Sequence, residues 1–337
     1  MKTVMLSDTE EDLQRAAAWI QQGEVVGMPT ETVYGLAADA CNPDAVRKVF
    51  AAKGRPADNP LIVHISEMAQ LSGLVKEVPP LAYQLAERFW PGPLTMILPK
   101  QPCVPMVTSG GLDTVGIRMP SHPIARKLIE LSGTAIAAPS GNRSGYPSPT
   151  SAAHMLHDLD GRIAAIIDGG VCQVGVESTV ICLESATTVR ILRPGYVTKA
   201  DLEQVAETVI LDDAILHELQ AGQTVRSPGM KYQHYSPLAN VILLEGSYEA
   251  YCAYVAQHSV PNCYALVFDG EEKAITIPCM TYGKNSAEQA QQLFDCLRRC
   301  DEKGAETVYV RAPERSGIGL AVYNRLIRAA GFEVIQV

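Results

Sequence analysis

Val25-Val26-Gly27-Met28-Pro29-Thr30-Glu31-Thr32-Val33-Tyr34-Gly35-Leu36 starts as an apolar run and changes at Pro29 into a stretch with two threonines and a glutamate. The run reads as a buried strand. The polar stretch then lies past its carboxyl end, where open α/β sheets bind ligands; an ordinary turn with a capping threonine explains the same residues. Upstream, Thr9 can cap a helix whose first turn holds Glu10, Glu11 and Asp12 and which ends at Gly23. Downstream, Asn42-Pro43 opens a second helix, with proline at its first position, and Gly54 stops it. Beyond it, Leu61 to Ile65, Leu94 to Leu98, Thr114 to Arg118, Ala135 to Ala138, Ala164 to Ile167, Ser178 to Cys182 and Val189 to Leu192 read as strands. Pro80 to Arg88 and Pro123 to Leu131 read as helices. The expectation over residues 5–205 is an α/β domain on a twisted sheet, mixed because its later strands crowd together.

After a stretch at 206–240 the pattern becomes a plain alternation. Val241 to Leu244, Cys263 to Phe268, Thr307 to Val310 and Glu333 to Val337 are strands; Tyr248 to Gln257, Ser286 to Cys300 (capped by Ser286) and Leu320 to Ala330 are helices. This predicts a smaller Rossmann-like α/β domain over 241–337. Within 206–240, Val225 to Pro237 has no helical or strand period, and its prolines, glycine and serines mark a linker. It also carries Met230, Lys231, Tyr232, His234 and Tyr235, residues that call for contacts, so the linker is expected to pack on something.

The 337 residues carry 28 basic and 37 acidic side chains, a net charge of −9. Residues 1–205 hold 17 basic against 21 acidic groups and the remainder 11 against 16, so neither part is a basic block that binds nucleic acid by phosphate electrostatics alone. Nine cysteines include no CxxC pair and no zinc spacing. No signal peptide or membrane-length apolar run is visible. The compartment expected is the reducing cytoplasm.

Three loops could carry chemistry. Lys53-Gly54-Arg55-Pro56-Ala57-Asp58-Asn59-Pro60 puts two cations on a Gly/Pro loop, suited to a polyanion such as a triphosphate or to a carboxylate; a solvated helix C-terminus would look the same. Ala138-Pro139-Ser140-Gly141-Asn142-Arg143-Ser144-Gly145 follows an apolar strand with small residues that let backbone N–H groups approach an anion, or is a generic loop. It is neither GxxxxGK[ST] nor GxGxxG. Arg315-Ser316-Gly317-Ile318-Gly319 looks faintly like a phosphate loop, and equally like a connection into the last helix. No GxSxG or HExxH signature is present.

Taken together, PTETVYGL (29–36), KGRPADNPL (53–61), PGPLT (91–95), GIRMP (116–120), APSGNRSG (138–145), ESTV (177–180) and LRPG (192–195) resemble the YrdC-like family. The linker SPGMKYQHYSP (227–237) is similar to that of its long, two-domain form, the threonylcarbamoyl-AMP synthases. Gly141 departs from the alanine more usual there. The resemblance implies a nucleotidyltransferase that converts L-threonine, bicarbonate or CO2, and ATP (with Mg²⁺) into L-threonylcarbamoyl-AMP and pyrophosphate. A downstream transferase complex then uses the product on tRNAs reading codons that begin with A, so tRNA is an indirect partner. It also implies residue roles. Lys53 and Arg55 are catalytic cations. Thr32, His64, Arg118, the backbone of Ala138, and Ser178 form the threonine site. Arg55, Asn59, Thr114, Ser140, Ser148 and Arg193 form the nucleotide site. The linker folds back as a lid that brings Tyr235 and His234 to the nucleotide. Two rivals stand beside it: a carbamoyl-adenylate-forming carbamoyltransferase, disfavoured by the missing CxxC pairs, and an RNA-binding module without catalysis, disfavoured by the acidic charge.

Overall fold

The computed structural model describes residues 2–56, 59–217 and 235–337. Local chemistry sets most helix ends. Thr9 accepts from the Asp12 N–H to start helix Glu10–Gln21, and Asn42 accepts from the Asp44 and Ala45 N–H groups to start Pro43–Lys53. That helix ends at Gly54, where φ of +62° is left-handed. In the C-terminal half the cap of Ser286–Glu302 is Asn285, one residue before the serine that the sequence suggested, because the Asn285 side chain accepts from both Ala287 and Glu288 N–H groups.

Eleven strands form one large sheet: β1 (Val4–Leu6), β2 (Val26–Met28), β3 (Gly35–Asp39), β4 (Ile62–His64), β5 (Leu94–Pro99), β6 (Thr114–Arg118), β7 (Ile136–Ala137), β8 (Ala165–Ile167), β9 (Thr179–Leu183), β10 (Thr188–Arg193) and β11 (Thr208–Leu211). Their order is β1-β8-β2-β3-β7-β4-β6-β5-β9-β10-β11. The sheet is mixed: β4 runs parallel to β6 and β5 to β9, whereas β3 is antiparallel to both β2 and β7. The small sheet contains β12 (Asn240–Glu245), β13 (Cys263–Val267), β14 (Cys279–Thr281), β15 (Thr307–Arg311) and β16 (Val334–Gln336), in the order β14-β13-β15-β12-β16 with every pair parallel. The expected α/β class, with a large mixed sheet and a smaller Rossmann-like one, is thus the observed one.

The stretch 206–240 differs at its start from a linker. Thr208–Leu211 is β11, paired in parallel with β10 at the edge of the large sheet. Residues 218–234, which include His234, lie outside the described residues.

The two sheets share a seam. Val33, Val174 and Val176 from the large-sheet unit belong to the same hydrophobic cluster as Leu293, Phe294 and Leu297 of helix Ser286–Glu302. Gly175, at φ +80°, lies so close to that helix that a Cβ would sit 2.3 Å from the Gln291 Cα. Beside it, Arg298 makes a bidentate pair with Asp158 at 3.0 and 2.7 Å, and donates to the Pro147 carbonyl at 2.6 Å. Both side chains are buried. Burial pushes the Asp158 carboxyl up, but the Arg298 hydrogen bonds and charge outweigh it and hold the group below its ordinary 3.8.

Removing one partner of such a buried pair strands the other charge. Arg298→Ala is therefore expected to lower the unfolding free energy by about 3 kcal/mol, read by urea denaturation at pH 7. The paired double variant with Asp158→Ala should lose less than the sum of the single losses. The contribution is complete above pH 3.8 and is lost as pH falls through the lowered value of the folded state. Equal losses at pH 7 and pH 2 would contradict the pairing.

Candidate active site

A cavity opens over the face of the large sheet at β4 and β6, beside the turn after β2 and lined by both Ile62 and His64 of β4. Strand register builds one wall: β4 and β6 are parallel neighbours with His64 opposite Arg118, so the two side chains stand together where the strands end. Thr30 and Thr32 reach the same place from the turn after β2, with their hydroxyls 2.8 Å apart. The Arg118 Nη1 donates to Thr32 Oγ1 at 2.8 Å, its Nη2 pairs with Glu31 Oε1 at 2.6 Å, and its Nε donates to the Gly92 carbonyl at 3.3 Å. Burial works against the Glu31 charge, yet Arg118 holds its carboxyl below the usual glutamate range. His64 Nδ1 is 3.3 Å from the Ile62 carbonyl, and burial, then the Arg118 charge, pushes the ring down to about 3. A neutral imidazole results at physiological pH.

The opposite wall is the loop after β7. It is fastened to β3 by the bridge between Gly35 and Ser140, by Leu36 N–H to the Pro139 carbonyl and by Gly141 N–H to the Tyr34 carbonyl. Lys53, the last residue of its helix, is buried against this loop. Its Nζ donates to the Ser140 carbonyl, to the Asn142 carbonyl at 2.8 Å and to Asn142 Oδ1 at 3.3 Å. Burial and then neighbouring Arg55 pull the lysine well below its ordinary value. Ala138 lines the cavity, and its N–H is taken by the Ile62 carbonyl at 3.0 Å.

The floor comes from β9 and β10. Arg193 donates from Nε and Nη2 to the Ser178 carbonyl at 3.2 and 3.0 Å, and reaches Ser178 Oγ at 3.3 Å. Ser178 Oγ is 2.8 Å from Thr95 Oγ1. Glu177 is buried between the Ser148 hydroxyl and Arg325. Tyr235 closes this side, buried with its ring centroid 5.2 Å from that of Phe294.

The structure therefore brings Thr32, Lys53, Arg55, His64, Arg118, Ala138, Ser140, Ser178, Arg193 and Tyr235 to one cavity. Three other expected residues are not on its wall. Thr114 is at the amino end of β6, roughly 13 Å along the strand from Arg118. Ser148 is fully buried behind the wall on Glu177. Asn59 is fully buried, and among the described residues neither of its amide atoms has a partner. Sequence reasoning missed Asn142, Glu31, Glu177 and Arg325. The first three lie inside quoted motifs, where a polar residue at a strand end was signal enough. Arg325 carried no local signal.

Residues 18–195 match the Sua5/YciO/YrdC family model, described as telomere recombination, and residues 197–331 match the one described as threonylcarbamoyl-AMP synthase, C-terminal domain. A threonylcarbamoyl-AMP synthase of Pyrococcus abyssi is 46% identical over 96% of this chain and 95% of its own. The chain belongs to the threonylcarbamoyl-AMP synthase family of Sua5/YrdC type. A Bacillus subtilis member of that family is 45% identical over 98% of this chain and 96% of its own. The crystal structure of P. abyssi Sua5 complexed with L-threonine superposes with a TM-score of 0.91 at 43% identity, covering 100% of both chains. The family match bears out the resemblance carried by the seven motifs and the linker.

Because burial and Arg118 disfavour the imidazolium, His64 should not titrate between pH 5 and 8. Its ring proton shifts, followed by NMR with His64→Gln as the assignment control, should stay constant over that range. A midpoint near 6.5 would contradict the buried, cation-flanked geometry.

Proposed function

We infer that this chain is an L-threonylcarbamoyladenylate synthase: L-threonine, bicarbonate or CO2, and ATP go to L-threonylcarbamoyl-AMP and pyrophosphate. The observation that carries the reading is the full-length relationship to synthases at 45–46% identity. It is joined to a cavity whose wall gathers Lys53, Arg55, Arg118 and Arg193.

The chemistry needs no protein nucleophile. The threonine amine attacks the carbon of CO2 and loses a proton, giving a carbamate; with bicarbonate the amine proton leaves together with the displaced hydroxide as water. A carbamate oxygen then attacks the α-phosphorus of ATP, the bond to the bridging oxygen breaks, and pyrophosphate leaves. Three anionic reactants repel one another, so the protein's task is to hold them in line and neutralise charge. Arg118, already bonded to Thr32 and beside His64, is suited to the threonine carboxylate. Arg55 and Arg193, with the Ser140 loop, are suited to the nucleotide. Lys53 supports that loop through its carbonyls. Tyr235, with His234, is read as the linker's closing contact.

Mg²⁺ enters as part of the ATP substrate. Glu177 is the carboxylate on the cavity wall, and it is engaged by Arg325 and Ser148; among the described residues no cluster of three or more His, Cys, Asp or Glu could hold a metal. Phosphate oxygens are then its natural ligands, as is usual for this ion. The product would pass to a transferase that modifies the adenosine beside the anticodon, in the cytoplasm. Among the described residues no helix is long and apolar enough to cross a membrane.

The test is pyrophosphate release from MgATP with bicarbonate, with and without L-threonine, and with L-serine as control. Release that requires both threonine and bicarbonate is expected; release independent of threonine would overturn the reading. Arg118→Ala should raise the threonine KM by about a hundredfold with the fold intact by circular dichroism. An unchanged KM would remove Arg118 from the carboxylate role.

A further inference from the structure

Arg325 sits in the second half of helix Gly317–Ala329, on the small-sheet unit, with no exposed surface. Each of its donors points across the seam or along its own helix. Nε donates to Glu177 Oε2 at 3.0 Å, Nη2 to the Glu177 carbonyl at 3.2 Å, Nη1 to the Pro194 carbonyl at 2.6 Å and to Asn324 Oδ1 at 3.2 Å. The guanidinium also lies 5.8 Å from the centroid of the Tyr235 ring. One side chain thus grips the turn before Ser178, the turn after Arg193, and the face of Tyr235, all three of which border the cavity. We infer that Arg325 is a positioning residue for the synthase, holding Arg193 and Tyr235 in place on the nucleotide side of the cavity from a separate folding unit.

The chemistry of the clamp supports a role beyond docking. A planar guanidinium spreads its donors over a fixed fork that reaches Glu177 and Pro194 from one side chain, whereas an ammonium gathers its three donors at one point. Docking has a device of its own in Arg298 and Asp158, fastened at Pro147 beside the Ser148 that bonds Glu177. Glu177 faces Arg325 from the helix, Arg193 from β10, Tyr235 ahead of β12 and Lys53 at its helix end. Burial pushes its carboxyl up, and Arg325, Arg193 and the Ser148 hydroxyl together hold it below its ordinary value. Withdrawing Arg325 therefore moves Glu177 toward a higher titration point, and a protonated Glu177 no longer balances Arg193.

The inference rests on the synthase reading, and the measurements separate the two. In the full chain, Arg325→Met should raise the ATP KM, and the ATP Kd by calorimetry, about tenfold or more. The threonine Kd should rise less than the ATP Kd: Arg118, Thr32 and His64 stand on the β4–β6 wall, and of the residues assigned to threonine Ser178 adjoins the turn that Arg325 holds. The acid limb of kcat/KM for ATP should move to higher pH. Arg325→Lys should return the acid limb by restoring charge beside Glu177, without restoring the ATP KM. An unchanged ATP Kd in the Met variant would overturn the inference. So would equal loss of threonine and ATP binding, with equal loss of thermal stability, in both variants, because that pattern belongs to a contact that only holds the units together. If wild type releases no pyrophosphate, the synthase reading fails, while the ATP Kd of the variants still decides the role of Arg325.

Discussion

Cations gathered around one cavity repel one another, and burying any of them is costly unless oxygen replaces the lost water. That constraint organises this structure. Lys53 is held by the carbonyls of Ser140 and Asn142, Arg193 by that of Ser178, and Arg118 by Glu31, Thr32 and the Gly92 carbonyl. Each cation is bound to a loop that itself lines the site, so the positive field and the shape of the cavity are set by the same bonds. This is how a chain of net charge −9 handles a polyphosphate: the positive charge is confined to one place and the acidic surplus lies outside it.

The mixed sheet is the means of bringing these loops together. Parallel pairing of β4 with β6 delivers His64 and Arg118 side by side. Antiparallel pairing of β3 with both β2 and β7 brings the turn after β2 against the loop after β7. A purely parallel sheet would send both ends of β3 elsewhere. The small sheet makes no such turns of its own near the cavity; it contributes through the seam, by Tyr235 at its entrance and Arg325 on its last helix.

Much of this was legible in the residues. Helix boundaries at Thr9, Asn42 and Gly54 are local chemistry, and the alternation after residue 240 gives four of the five strands of the parallel sheet, missing the three-residue edge strand β14. β3 was not, since Gly35-Leu36-Ala37-Ala38-Asp39 holds no β-branched residue and becomes a strand only because partners flank it on both sides. Thr114 was assigned to the nucleotide site by the family resemblance alone, and it is not among the residues that line the cavity. Tyr235 was legible from composition, as a tyrosine with no business in a free linker. Arg325 was not, because its meaning depends on a carboxylate 148 residues away.

That separation has a consequence for how the protein is made. Chains leave the ribosome from the N-terminus at about 5–20 residues per second, and domains fold as they emerge. Glu177 and the pocket turns around it are therefore synthesised on the order of ten seconds before the arginine that neutralises them. In that interval a carboxylate meant for a dry seam has Ser148, Arg193 and Lys53 for company but not the arginine that buries it. The newborn first half is then a vessel without its final wall, and the late arrival of one helix is what turns it from a folded shape into a sealed reaction chamber.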